Sequence, residues 1–169
     1  MNEKIFDGVY RSFAEVPSVT GYNSTNYLDF LQGYCEARAD EVAAGAFPGP
    51  QGRNIQSNVL IGVIASMPGR LTVLDHGGGL GQMFVAVAAG IPDRERLDYV
   101  ICDLPDTIAR AKEADIFAKR GINGVRFVDR PEQAGKCDLI YFGGVLQYVD
   151  DYAAFLLRTL ILRPRKILI

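Results

Sequence analysis

The chain has no tryptophan and a single histidine, His76. One imidazole cannot build a multi-histidine metal centre. Cysteine is scarce as well: Cys35, Cys102 and Cys137 are odd in number, far apart and without CxxC spacing. That pattern excludes a disulfide framework and a cysteine zinc site, and it fits a reducing compartment. No stretch approaches the roughly 18 consecutive apolar residues of a membrane span. The N-terminal run MNEKIFDGVYRSF lacks the apolar centre of a secretion signal. Neither sign of charge dominates, with 18 Lys and Arg against 20 Asp and Glu, for a net −2. The chain therefore has no global attraction for nucleic acid or an anionic membrane surface. Internal repeats and low-complexity tracts are also lacking. A cytoplasmic protein without metal, nucleic-acid or membrane partners is the expectation.

What is present is 169 residues, 49% hydrophobic and 22% charged, enough for one globular unit with a real core. The segment from Ser24 to Ala44 reads as a helix capped by Ser24, with Tyr27, Leu28, Leu31, Cys35 and Val42 near one face. The loop GAFPGPQGR follows, rich in Gly and Pro. A second helix is expected from Asn54 to Met67, stopped by Pro68 and Gly69. Beyond Arg70 short apolar runs alternate with helical stretches. The runs are LTVLD, LDYVICD, GVRFVD, DLIYFGG and KILI; the longest helical stretch between them is PDTIARAKEADIFAKRG. Such alternation implies βαβ units and a parallel sheet. The expected division is an N-terminal helical lid over 1–69 and a cofactor-binding core over 70–169.

The informative stretch is Val73-Leu74-Asp75-His76-Gly77-Gly78-Gly79-Leu80-Gly81, at a strand-to-helix junction. Open parallel sheets bind ligands at such junctions. Glycines there permit a tight turn and let backbone N–H groups approach a ligand. The dinucleotide pattern GxGxxG, started at Gly77, requires glycine where Gln82 stands, which disfavours a nicotinamide oxidoreductase. No GK[ST] follows, so the loop is not a phosphate-binding P-loop. Asp103 closes the second apolar run, 22 positions after Gly81, where an acid can accept from both hydroxyls of a ribose.

The pattern Asp75-x-Gly77-x-Gly79-x-Gly81 resembles the first motif of class I S-adenosylmethionine-dependent methyltransferases. Asp103-Leu104-Pro105 together with the triple glycine resembles small-molecule O-methyltransferases. The run from Gly144 to Asp151 resembles the start of the helix after the fourth strand in many methyltransferases, and the N-terminal pieces GVYRSFAEV and GYNSTNYL resemble a sparsely characterised group of bacterial methyltransferase-like proteins. The specific motifs lie between residues 73 and 148. The resemblance implies a Rossmann-like α/β sheet of order 3-2-1-4-5, with helices on both faces, binding S-adenosylmethionine. It implies that Asp75, His76, Gly77, Gly78 and Gly79 form the cofactor loop, with Asp75 facing the methionine amino group. It implies that Asp103 holds ribose and Leu104 packs on adenine. It also implies that Asp129 meets the adenine amine and that Gly143 passes under the methionine part. The implied function is methyl transfer to a small-molecule acceptor, most readily on oxygen.

Plainer readings stand beside these. Asp75 alone would cap the turn, Asp129 would pair with Arg126 and Arg130, and Gly143-Gly144 would be an ordinary turn. Tyr22, Tyr27 and Tyr148 either line a substrate pocket or pack in the core. His76 sits inside the loop rather than where a catalytic base is expected. The resembled O-methyltransferases place a histidine base beyond the fourth strand, and this sequence has no histidine after residue 148. The sheet of that family continues past the fifth strand into an antiparallel hairpin, whereas this sequence stops at KILI. A non-catalytic cofactor-binding protein or a truncated fragment is therefore the alternative. An exposed apolar edge at KILI also leads to an expectation of self-association, as a homodimer.

Overall fold

The strand Leu71–His76 (β1) lies at the centre of a five-stranded sheet. The other strands are Leu97–Cys102 (β2), Val125–Val128 (β3), Leu139–Phe142 (β4) and Lys166–Leu168 (β5). Their spatial order is β3-β2-β1-β4-β5 and every neighbouring pair is parallel. The order reverses between β2 and β4 on either side of β1, and there the carboxyl ends of the strands leave a crevice. The parallel sheet is what the alternating pattern implied, and its order is the one the methyltransferase resemblance implied. The computed structural model describes residues 11, 12, 15, 24–46 and 55–169.

Among the described residues five α-helices surround the sheet: Thr25–Ala43 (α1), Ile55–Ser66 (α2), Gln82–Gly90 (α3), Pro105–Ala114 (α4) and Tyr152–Thr159 (α5). Ser24 caps α1, its hydroxyl accepting from the Tyr27 N–H. The side chains of a strand alternate between faces, so the pleat sorts the core into two halves. Val73, Tyr99, Ile101, Leu139 and Tyr141 face the side covered by α1 to α4. Leu74, Val100, Cys102, Ile140 and Phe142 face the side closed by Leu156 of α5 and Leu162 just after it. Buried residues of α1 and α2, such as Leu31, Cys35, Leu60 and Ile64, join the first cluster directly. Helix α3 is buried all round, from Phe84 to Ala88, because it is sandwiched between the sheet and the two N-terminal helices.

Three local features depart from the sequence reading. The helix expected over 105–121 breaks at Ala114. Asp115 takes a left-handed conformation with φ of 48°, which Asp tolerates better than most residues, and the turn drives Ile116 and Phe117 into the core. The last helix ends at Thr159 and tightens into a 3₁₀ turn over Leu160–Leu162. Arg126 pairs with Asp98 through two hydrogen bonds of 2.9 and 3.1 Å, and so is not the partner of Asp129.

One arginine ties the second helix to the sheet. The Arg96 guanidinium donates to the carbonyls of Ile64, Met67 and Gly69 at 2.8–2.9 Å. These include orphan acceptors at the carboxyl end of α2, where a cation is also favoured by the helix dipole.

Candidate functional site

The loop from His76 to Gly81 runs from the end of β1 into α3. Gly79 has φ of +57°, and a Cβ built on it would lie 2.6 Å from Gln82 Oε1. Gly77 has φ of +77°, and its Cβ would lie 2.9 Å from the Val145 side chain. Both positions thus combine a left-handed backbone with a close approach, and a side chain at either would force the turn open. Gly78 passes over the Asp75 carboxyl, 2.8 Å from where its Cβ would be.

Asp103 sits just past β2, on the far side of this loop. The Gly79 N–H donates to its Oδ2 at 2.7 Å and the Leu104 N–H donates to its Oδ1 at 2.7 Å. The acid that closes the second strand is thereby fastened to the loop that closes the first. Each oxygen accepts one N–H and keeps further acceptor capacity. Leu104, beside it, leaves 49% of its surface exposed although it is a large apolar residue. The Tyr27 phenol of α1 is raised in pKa by burial first and by the Asp103 carboxylate next, which brings α1 up to the same acid.

Asp75 is 1% exposed. Its Oδ2 accepts from the Tyr99 hydroxyl at 2.9 Å. Desolvation raises its pKa to about 7, opposed by that hydrogen bond. The carboxyl therefore lies beneath the loop, in register with Tyr141 of β4. His76 turns to the opposite face, its ring centroid 5.7 Å from that of Phe142 and 4.9 Å from that of Phe155. Burial lowers its pKa, so the ring is neutral near pH 7.

The remaining sequence candidates lie further out. Asp129 follows β3 on the surface, its N–H donating to Gln133 Oε1 at 3.2 Å. Gly143 and Gly144 follow β4, and a Cβ on Gly143 would meet the Tyr141 hydroxyl at 2.7 Å. Tyr148 is exposed, and Tyr22 lies outside the described residues. The structure thus brings the glycine loop, Asp103 and Leu104 together at the carboxyl ends of β1 and β2, with the His76 ring on the opposite face, Gly143 after β4, and Asp129 apart on the surface after β3. Among the described residues no group of three or more His, Cys, Asp or Glu could hold a metal. No helix among them is long and apolar enough to cross a membrane.

Sequence reasoning missed the polar side chains under the crevice. Among buried side-chain atoms that find no hydrogen-bond partner, Gln82 Oε1 and the Tyr141 hydroxyl lie beside the loop, while His76 Nδ1 lies on the opposite face of the sheet. Alternation along each strand does not reveal them; the pairing register brings Tyr141 beside Asp75, and the Tyr99 hydroxyl reaches Asp75 from β2.

No protein-family model and no curated protein matches the chain. Solved structures do resemble it. The methyltransferase PaMTH1 of Podospora anserina, bound to S-adenosylhomocysteine, is 20% identical with a TM-score of 0.46, covering 85% of this chain and 68% of that one. YjhP of E. coli is 19% identical with a TM-score of 0.43, covering 72% of this chain and 51% of that one. A methyltransferase of Thiobacillus denitrificans in complex with S-adenosylhomocysteine is 19% identical with a TM-score of 0.41, covering 74% and 49%. The chain thus spans about half the length of two of these proteins.

Proposed function

We propose that the chain binds S-adenosylmethionine across the crevice and directs its methyl group to a small-molecule acceptor, on oxygen. The observation that supports this most is the 2.7 Å hydrogen bond from the Gly79 N–H to Asp103 Oδ2. It ties the glycine turn after β1 to the carboxylate that closes β2, which supports an adenosyl group lying across both. The unpartnered Gln82 and Tyr141 atoms beside the turn fit a ligand with several polar groups. The cofactor supplies a sulfonium that makes its methyl carbon electrophilic without help from the protein.

The residues act as follows. Gly77, Gly78 and Gly79 let the backbone close on the methionine part, with His76 contributing its main chain. Asp75 orders the loop from beneath and faces the methionine amino group through it. Asp103 accepts from the ribose hydroxyls, Leu104 covers adenine and Asp129 borders its amine. Gly143 keeps the wall beside the methionine part thin. Because His76 is wedged between Phe142 and Phe155, the chain works by approximation and orientation rather than by a histidine base.

Titration calorimetry with S-adenosylhomocysteine and with NAD tests the reading. The former binds and the latter does not. Asp103→Ala weakens the binding by about 1.5–3 kcal/mol, the range for hydrogen bonds to a charged group. Tight NAD binding, or S-adenosylhomocysteine binding unaffected by Asp103→Ala, would refute it. The wedged histidine also favours a second reading, a cofactor-binding protein without turnover. Release of S-adenosylhomocysteine over a panel of hydroxylated acceptors decides between the two.

A further inference from the structure

We infer that the groove between α5 and the turn after β3 binds a small amphipathic monoanion, its charge held by Arg130 and Arg158 and its apolar body resting on Phe155, Ile161 and Leu162. None of residues 75–81, 103 or 104 lines this groove, so the inference stands apart from the methyl-transfer reading.

The groove arises from a thin crossover. In the sheet β3 and β4 are separated by β2 and β1, and a connection between parallel strands usually lays an α-helix over the sheet face. The segment from β3 to β4 carries the 3₁₀ turn Pro131–Ala134 and no α-helix. Between that turn and α5 a groove of about 370 Å³ is left, at the small end of the range for small-molecule sites. Its floor is apolar: Phe155 and Leu162 belong to the core on that face of the sheet. Ile161 is 75% exposed at its side, apolar surface that a bound hydrocarbon body would remove from water.

The charge selects the ligand. Arg130, Glu132 and Arg158 are the charged lining residues, two positive against one negative, and all three are exposed. Among the described residues Arg158 makes no ion pair, and Arg130 reaches only Asp129, at 3.9 Å. Each guanidinium keeps N–H donors in the planar fork that matches a carboxylate. The Thr159 hydroxyl, the other polar lining group, already donates to the Leu156 carbonyl. A neutral molecule leaves both arginines without a counter-charge, and a dianion meets repulsion from Glu132. A bare small anion gains little at an exposed rim, where an ion pair is screened by water. An apolar body bearing one negative charge uses both the floor and the arginines.

The molecule carries its own reporter. His76 is the only histidine, and its ring centroid lies 4.9 Å from that of Phe155 in the groove, so its Hε1 proton resonance is unambiguous. The probes are 4-phenylbutyrate, 4-phenylbutyramide and acetate, titrated into the whole chain at neutral pH. Phenylbutyrate is expected to shift the resonance saturably and acetate to leave it unmoved. The amide should bind roughly tenfold more weakly, the effect of losing a hydrogen bond to a charged group. Arg158→Gln lowers the phenylbutyrate affinity by a similar factor and leaves that of the amide unchanged, whereas Ile161→Ser weakens both alike. Both positions are exposed, so the thermal midpoint of either variant stays close to that of wild type. Equal affinity for acid and amide overturns the inference. So does wild-type phenylbutyrate binding by Arg158→Gln, an acetate shift equal to that of phenylbutyrate, or the absence of any saturable shift.

Discussion

Replacing Asp75 by Asn should stabilise the protein, and by more at high pH. In the folded chain the carboxyl has a pKa of about 7 against an ordinary 3.8, because it is desolvated under the glycine loop. A carboxyl whose folded pKa is raised contributes most below its unfolded pKa, and the contribution falls as pH rises toward the folded one. Between pH 4 and 7 the wild-type chain therefore loses stability through this group, and above pH 7 the loss is complete. The gap from 3.8 to about 7, at about 1.4 kcal/mol per pH unit, corresponds to roughly 4 kcal/mol at most. Relaxation around the charge brings a realistic figure to about 2–4 kcal/mol. Asn keeps an oxygen to accept from Tyr99 and has no charge to bury. Urea denaturation from pH 4.5 to 8 measures the difference directly. With a slope near 2 kcal/mol per molar urea, the midpoint of the variant should exceed that of wild type by about 1–2 M at pH 8. The gap should shrink steadily toward pH 4.5. His76 works in the opposite sense, since its lowered pKa costs stability as pH falls below 6.5. It is common to both proteins and cancels in the comparison. A gap independent of pH, or a variant less stable than wild type at pH 8, would refute the assignment of a buried, raised carboxyl.

Gly79→Ala should destabilise the fold by about 1–2 kcal/mol, from the left-handed backbone alone, and reduce S-adenosylhomocysteine affinity at least tenfold by calorimetry. Arg96→Ala should cost about 2–3 kcal/mol in thermal denaturation, because three carbonyls lose a charged donor; Arg96→Lys should restore only part of it. Burial raises the thiols of Cys35 and Cys102 to about 12 and that of Cys137 to about 11. All three should resist a disulfide reagent in the native state and react together on unfolding.

Much of the architecture was legible because its signals were local. The acid-ended apolar runs around Asp75 and Asp103, and the alternation after Arg70, were enough for a parallel α/β sheet, and the resemblance to class I methyltransferases implied its strand order. Ser24 and the stripe of Leu28, Leu31 and Cys35 were enough for α1. The rest depended on which residues meet across long distances. Asp75 was legible as a loop acid but not as a buried one, because its burial depends on Tyr99, a residue that reads only as strand filler. Arg126 stands closer in sequence to Asp129 than to Asp98, yet parallel pairing of β2 with β3 brings Asp98 beside it. The break at Asp115 was hidden in a good helical sequence, and only the demand to bury Ile116 and Phe117 explains it. Tyr141 was invisible as a functional group, because an unpartnered hydroxyl is a property of surroundings rather than of sequence.

The central position of β1 has a consequence for biosynthesis. Its first neighbour, β2, is made soon after it, but its second neighbour arrives much later: the Thr72 N–H meets Asp138 across 66 residues. A ribosome therefore releases the loop-bearing strand well before the strand that flanks its other side. Over that interval one flank of β1 is an unpaired ladder of amides, the kind of surface that recruits stray chains. Helices α1 and α2, already synthesised, can shelter one face of the growing sheet but not this flank. The step that completes the ligand crevice is thus also the one that ends the chain's most aggregation-prone moment.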